Sequence, residues 1–237
     1  MWLFAPKTTF FEAVQKGVCT EDAMHLKFIQ DAWFHLYFLE DPDLGRVVEI
    51  GGGASRTLPK LVRRGSECWN ADRFEGVANG PLSDNPALKI QRDLGVKFVS
   101  AYVGDFSEEL PEQYFDLAYS ISVLEHLDHD QTVRCFNDAK RILKPGGRIL
   151  HAVDLFLADG PLERTSVKIS SLRRAAAEAG LVEMGADEIG EEPTFRTRYA
   201  TPADVYLARK WCFTKQLQAL VEANQLVTLI MGHRTPA

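Results

Sequence analysis

Cysteine is scarce in this chain of 237 residues, and the four present, Cys19, Cys68, Cys135 and Cys212, never stand at C-x-x-C spacing. Neither a zinc knuckle nor a disulfide framework is indicated, and buried thiols are the better reading. Basic residues are in deficit, 27 Lys and Arg against 33 Asp and Glu, for a formal charge of −6. A protein that grips polyanions needs a basic face to release counterions from phosphates, so a nucleic-acid partner is disfavoured and a small-molecule partner expected. No apolar run approaches the ~18 residues that span a bilayer, and Met1 to Val14 lacks a basic n-region followed by a long apolar one. A cytoplasmic protein without membrane contact is expected.

What is present is globular: 46% of residues are hydrophobic and 25% charged, which excludes a disordered or fibrous chain. Repeats and low-complexity tracts are missing, and Gly and Pro separate short apolar runs from amphipathic helical ones, the α/β alternation. Two parts are expected: a helical N-terminal extension over 1–45, acting as a cap, a lid or a dimer contact, and a main domain over 46–237. In the extension, the run from Thr20 to Glu40 carries Trp33, Phe34, Tyr37 and Phe38 on several faces, so it is buried against the main domain or against a second subunit of a homodimer.

The main domain opens with a strand, Arg46 to Ile50, that runs into Gly51-Gly52-Gly53 and a helix with Leu58, Leu61 and Val62 inward. Strands are expected over Cys68 to Ala71, Lys97 to Val103, Phe115 to Ser120, Arg148 to Val153, Leu181 to Ile189 and Leu226 to Gly232. Asp128 or Asp130 caps the helix before Lys144-Pro-Gly-Gly147, and Thr201-Pro202 opens a long inserted helix over 201–224 ahead of the last strand.

A strand entering three glycines presents backbone N–H groups where no Cβ blocks close approach of a ligand. The dinucleotide fingerprint would need a glycine where Arg56 stands, and the G-x-x-x-x-G-K-[ST] phosphate loop is absent, so nicotinamide and ATP both lose ground. Carboxylates recur at successive strand ends: Glu49 before the turn, Asp72 after the second strand and Asp105 after the third. In a doubly wound sheet those ends meet at one crevice. A carboxylate at the second end suits a ribose diol, one at the third an exocyclic amine, and the set favours a cationic ligand over a pyrophosphate.

VVEIGGGAS, the acidic Asp72, Gly104-Asp105-Phe106, FDLAYSISVLEHL and LKPGGRIL, in this order over about residues 46 to 153, resemble the successive motifs of class I S-adenosylmethionine-dependent methyltransferases. The resemblance implies a Rossmann-like, seven-stranded, mostly parallel sheet with helices on both faces and the last strand, Leu226 to Gly232, inserted antiparallel beside strand five. It implies S-adenosylmethionine as cofactor and S-adenosylhomocysteine as product. Glu49, Gly51 and Gly53 would hold the methionyl part, Asp72 the ribose, Asp105 and Phe106 the adenine, and Ser120 and Ile121 the methionine side, with Gly52 and Arg73 also among the cofactor-binding residues. Ser55 stands where the family often has a third glycine. Some relatives carry E-x-x-E-H before the fourth helix and bind a divalent cation through it; Ser122 takes the first position here, so no metal site is expected.

Methyl transfer from a sulfonium needs an aligned acceptor, exclusion of water and, for a hydroxyl, a base. His126 is the candidate base, a residue type that titrates near neutrality, and Asp154 after strand five could orient an acceptor amine or hydroxyl. Each also has a structural reading, Glu125-His126 as a packing pair and Asp154 as a loop cap. His151, on the opposite alternation, reads as a core histidine. Trp2, Phe4, Phe10, Phe11, Trp33, Tyr199, Tyr206 and Trp211 either fill the core or line a planar acceptor site, and Arg196 and Arg198 either meet an acidic group or face solvent. The expected activity is methylation of an O or N atom of a small molecule. Its rivals are a cofactor-binding protein of the same fold that does not methylate and, further off, a nicotinamide-dependent oxidoreductase.

Overall fold

A computed structural model describes residues 1–5, 8–18, 27–41, 44–75, 84–156, 169–189 and 226–236. The inserted helix 201–224, the start of the N-terminal run at Thr20, Cys19 and Cys212, and Arg196, Arg198, Tyr199, Tyr206 and Trp211 lie outside the described residues.

The described elements run β1 (Trp2–Phe4), α1 (Thr8–Gln15), α2 (Lys27–Glu40), β2 (Arg46–Ile50), α3 (Leu58–Arg63), β3 (Glu67–Ala71), α4 (Pro86–Asp93), β4 (Lys97–Val99), β5 (Phe115–Ile121), α5 (His129–Ile142), β6 (Leu143–Phe156), α6 (Ile169–Glu178), β7 (Val182–Glu183) and β8 (Leu226–Arg234). One mixed sheet results, ordered β1-β8-β6-β5-β2-β3-β4, with β7 pairing β8. From β4 through β3, β2 and β5 to β6 each strand is parallel to the next, and β8 runs antiparallel beside β6. The fold is the expected Rossmann-like α/β sandwich.

Two details correct the expectation. The sheet has eight described strands rather than seven, because Trp2–Phe4 leaves the helical extension and pairs antiparallel with Leu229–Met231. Trp2 is fully buried and its indole N–H donates to Glu183 Oε1 at 2.8 Å, which explains why three residues suffice to hold that edge. The strand expected over Leu181 to Ile189 shrinks to Val182–Glu183. The fifth strand, by contrast, is longer than expected: Phe115 pairs with Leu143 and Leu117 with Arg148, so Lys144-Pro-Gly-Gly147 bulges out of a continuing strand instead of preceding it.

Side chains alternate between two cores. Val48, Ile50, Ala118, Ile149 and Val153 face α5 and α6, where Phe136, Ile142 and Leu172 meet them. Val47, Leu117, Tyr119, Leu150 and Ala152 face α1, α2 and α3, where Phe10, Phe34, Phe38 and Leu58 meet them. Burial on both faces is why the successive Val47 and Val48 are both apolar in Arg46–Ile50, without strict alternation. The aromatic α2 spends its rings inside this chain: Phe34 and Phe38 pack on Tyr119 at centroid distances of 5.0 and 5.5 Å, and Trp33 stacks on Tyr37 at 5.3 Å. Helix α5 is opened by Asp128, whose carboxylate accepts from the Gln131 N–H while the Gln131 side chain returns to the Asp128 N–H, a capping box.

The order places the switch in winding between β2 and β5. A crevice outside their carboxyl ends is where such a sheet binds ligands.

Candidate functional site

The turn after β2 is shaped by contacts that only glycine permits. Gly51 has φ +66°, donates its N–H to the Ala71 carbonyl at 2.7 Å, and would drive a Cβ to 2.6 Å from Val123 Cγ2. A Cβ on Gly52 would stand 2.6 Å from Asn70 Oδ1. Gly53, at φ +43°, donates to Asp72 Oδ2 at 3.0 Å, and its carbonyl accepts from Asn70 Nδ2 at 2.8 Å and Gln91 Nε2 at 3.2 Å. Two buried amides and one carboxylate thus fix the turn from behind.

In front of it lies an open cavity of about 600 Å³, a size that suits a cofactor or drug-sized ligand. Its walls come from the ends of β2 and β3 (Ile50, Gly51, Gly53, Ala71, Asp72, Arg73, Phe74), from the segment after β4 (Ala101, Tyr102, Val103), and from the turn into α5 (Val123, His126, Leu127, Gln131). Asp72 is held by two backbone N–H groups, Gly53 on Oδ2 and Phe74 on Oδ1 at 2.7 Å, the latter drawing Phe74 to φ +51°. Ser122 after β5 and Phe106 after β4 also sit at positive φ, 55° and 56°. Non-glycine residues in this region are uncommon, and three of them follow strands of this crevice.

The structure therefore brings Gly51, Gly53, Asp72, Arg73 and His126 to one cavity. It places the other candidates around it. Glu49 is buried behind the turn, its Oε2 accepting from Ser55 Oγ at 2.5 Å, Tyr119 OH at 2.6 Å and Thr57 Oγ1 at 3.1 Å. Burial pushes its carboxyl up to about 7, the three hydroxyls pull it down, and Asp31 pushes it further up. Gly52 packs against Glu49 and Asn70 and does not line the cavity. Asp105 and Phe106 stay outside the lining: Asp105 pairs with Arg73 at 3.5 Å and Arg134 at 3.6 Å, and Phe106 is exposed. Ser120 points into the core, 2.6 Å from His151 Nδ1, and Ile121 packs on the α2 side. Asp154 meets α2, accepting from Gln30 Nε2 at 2.8 Å, while Ser122 Oγ donates to Gln30 Oε1 at 2.7 Å.

Tyr102, Val123 and Gln131 were not singled out in the sequence. Tyr102 was assigned to a strand running to Val103; the strand stops at Val99, which releases Tyr102 to the cavity with the Arg73 guanidinium 5.3 Å from its ring centre. No local signal marks Val123, whose role is set by contact with Gly51 across two strands. Arg56, which breaks the dinucleotide fingerprint, forms a forked pair with Asp31 of α2 at 2.5 and 3.2 Å.

Residues 48–151 match a family model described as a methyltransferase domain. None of the curated proteins matches the sequence. Among solved structures the chain is similar to geranyl diphosphate C-methyltransferase from Streptomyces coelicolor A3(2) in complex with Mg2+, geranyl diphosphate and S-adenosyl-L-homocysteine (TM-score 0.62, 12% identity, 86% of this chain and 80% of that one). It is also similar to Burkholderia thailandensis 1,6-didemethyltoxoflavin-N1-methyltransferase with bound 1,6-didemethyltoxoflavin and S-adenosylhomocysteine (TM-score 0.57, 18% identity, 97% and 87%). A third is Haemonchus contortus phosphoethanolamine N-methyltransferase 2 in complex with S-adenosyl-L-methionine (TM-score 0.57, 16% identity, 81% and 49%). The fold is the Rossmann-like one that these methyltransferases share, and the stretch 48–151 that matches the methyltransferase-domain model holds most of the crevice lining.

Proposed function

We propose that the protein transfers a methyl group from S-adenosylmethionine to an O or N atom of a small molecule. The observation that carries this reading is the glycine turn opening onto the cavity between Asp72 and His126: a Cβ at Gly51 would collide with the cavity wall, and the Asp72 carboxylate stands ready with both oxygens already oriented by backbone N–H groups. These residues fit the cofactor. Gly51, Gly52 and Gly53 would admit its amino-acid part, Asp72 and Arg73 would take the ribose, and Tyr102 with the Asp105-Phe106 segment would border the base. When bound, the cofactor supplies an electrophilic methyl group. The chain's part is to align the acceptor, exclude water and hold a proton. His126, on the cavity wall, is the group that removes a proton from a hydroxyl acceptor, and Asp154, held by Gln30, orients the acceptor from the β6 side. Ser120 and Ile121 support the strand between them.

The neighbours bear on this reading without narrowing it, since they include both C- and N-methyltransferases. Preference for O or N rests on His126 as the base and Asp154 as a group that orients the acceptor. Among the described residues no helix is long and apolar enough to cross a membrane.

A thermal-shift titration tests the cofactor. S-adenosylhomocysteine should stabilise the fold by ~2.7 kcal/mol at a hundredfold excess over its Kd, and NADH should not. Stabilisation by NADH alone would overturn the reading. Asp72→Ala should weaken S-adenosylhomocysteine about tenfold to a hundredfold, the range for a charged hydrogen-bond acceptor.

A further inference from the structure

Three side chains of α5, Arg134, Asp138 and Arg141, recur at i, i+4 and i+7 and so share one face of the helix. All three bond to the segment that follows β4. Asp138 is fully buried, and its Oδ2 accepts from the N–H groups of Gly104 at 2.7 Å and Phe106 at 3.1 Å. Its Oδ1 accepts from Arg141 Nε at 2.9 Å. Arg141 also donates to the carbonyls of Leu110 at 2.9 Å and Ser107 at 3.0 Å, and Arg134 forks onto the Gly104 carbonyl at 3.0 and 2.8 Å. Both backbone polar groups of Gly104 are thus held by α5.

The segment so held has no helix or strand of its own between Val99 and Phe115, and its backbone is bent out of the ordinary regions. Gly104 stands at φ +128° and Phe106 at +56°. A Cβ on Gly104 would come within 2.8 Å of Tyr102 Cε1 and 3.3 Å of the Cys135 nitrogen, so glycine is what lets the Tyr102 ring and α5 close on this point. The Asp105 N–H donates to the Tyr102 carbonyl at 3.0 Å and closes a turn whose first two residues, Tyr102 and Val103, line the cavity. Its last residue, Asp105, stands 3.5 Å from Arg73 of the same lining. A buried carboxylate paired to an arginine contributes little net stability, because desolvation offsets the attraction. What Asp138 fixes is a backbone conformation, and that conformation shapes one wall of the cavity.

Resting on the methyltransferase reading, we propose that Asp138 is a positioning residue for the base end of the cavity: with Arg134 and Arg141 it holds Tyr102 against the base and Asp105 towards its exocyclic amine, and so sets the preference for adenine. Asp138 touches no ligand. It acts through the Gly104 and Phe106 amides.

Calorimetric titration tests this by comparing S-adenosylhomocysteine with S-inosylhomocysteine, in which an oxo group replaces the exocyclic amine. Wild type should prefer S-adenosylhomocysteine about tenfold, the low end for a hydrogen bond to a carboxylate that is partly exposed. Asp138→Asn keeps the size of the side chain but loses the charge that joins Arg141 to the two amides. It should bind S-adenosylhomocysteine about tenfold more weakly and S-inosylhomocysteine within about threefold of wild type, so that the preference disappears. Arg134→Met, at an exposed side chain, should shrink the preference too and serves if Asp138→Asn does not fold. Asp72→Ala should weaken both ligands alike and keep the preference, since it acts on the ribose. Hydrogen exchange of the Gly104 and Phe106 amides should quicken in Asp138→Asn while that of β2 and β5 stays unchanged. Wild-type preference in both Asp138→Asn and Arg134→Met would overturn the proposal and leave the methyltransferase reading intact. Equal weakening of the two ligands by Asp138→Asn would also overturn it, as would a wild type that binds both equally. No binding of S-adenosylhomocysteine by wild type would overturn both readings.

Discussion

Gln30 and Asp154 stand 124 residues apart in the chain and 2.8 Å apart in space. The same Gln30 amide accepts from Ser122, so one side chain of α2 ties together the carboxyl ends of β5 and β6, while its neighbour Asp31 holds Arg56 beside the glycine turn. Two consecutive residues of the N-terminal helix thereby touch both halves of the proposed site. Gln30 is fully buried, and Gln30→Ala leaves the Ser122 hydroxyl and the Asp154 carboxylate each short of a partner. The expected cost is about 1 to 3 kcal/mol of stability, read by urea unfolding, with S-adenosylhomocysteine affinity within a few fold because Gln30 does not line the cavity. An unchanged urea midpoint would mean that water replaces the amide and that α2 is not a support of the site.

The glycine turn makes a prediction that separates two similar residues. Gly51→Ala must place a Cβ 2.6 Å from Val123 Cγ2 at φ +66°, so either Val123 moves into the cavity or the turn opens. Gly53→Ala meets Asp72 Oδ2 at 3.6 Å, ordinary contact, and is strained only by φ +43°. Gly51→Ala should therefore cost more stability, by about 1 to 3 kcal/mol over Gly53→Ala, on the scale of overpacking. Both should weaken S-adenosylhomocysteine. Equal melting temperatures for the two variants would show that the Val123 contact relaxes freely.

How much of this was readable follows from how local each signal is. Arg46–Ile50 appears with its bounds intact because an apolar run into three glycines is a short-range pattern, and Asp128 as cap is fixed by Gln131 three residues on. The ends of β2, β3 and β5 could be assembled because the order of motifs implied the winding. Trp2–Phe4 could not be read as a strand: three residues carry no period, and its partner strand begins at Leu226. Tyr119 looked like one apolar position of a strand, and its bond to Glu49 joins residues 70 apart. Asp105 was legible as a strand-end carboxylate, but its capture by Arg73 and Arg134 depends on side chains from β3's end and α5.

Acid should destabilise the fold through histidines held neutral. His35 and His151 are pushed down to about 3 and His233 to about 4, in each case mainly by burial. His151 has Ser120 on Nδ1, but among the described residues its Nε2 and both ring nitrogens of His233 are buried without hydrogen-bond partners. Since these folded-state values lie below the ~6.5 of the unfolded chain, the unfolded state takes up protons first. Their contribution is intact above about pH 7 and is lost as pH falls from 6.5 towards 3, by about 2 kcal/mol per histidine at pH 5. Glu49 opposes this, because its raised value favours the folded state below 7. Three groups against one leave a net loss. Urea midpoints at pH 8 and pH 5 should show it, and His233→Phe, which keeps a ring beside Trp2 and Phe136, should reduce the difference. Equal stability of wild type at both pH values would show that the buried rings gain solvent or water partners on protonation.

His126 separates catalysis from binding. It lines the cavity with Gly51 and Asp72 but is proposed to act on the acceptor, whereas they act on the cofactor, so their variants should fail in different ways. His126→Ala should bind S-adenosylhomocysteine within a few fold of wild type and lower kcat by ~10² to 10⁴ on a hydroxyl acceptor, the usual loss when a general base is removed. On an amine that arrives unprotonated no base is needed, and the same variant should lose far less. Asp154→Asn keeps an oxygen for the Gln30 amide and should raise the acceptor KM more than it lowers kcat, as expected of a group that orients and does not take the proton. A screen of hydroxyl and amine acceptors with S-adenosylmethionine, read as S-adenosylhomocysteine formed, supplies the substrate for both comparisons. Full turnover by His126→Ala on a hydroxyl acceptor would move the base elsewhere, and tight cofactor binding by wild type with no product from any acceptor would favour a protein that binds the cofactor without transferring its methyl group.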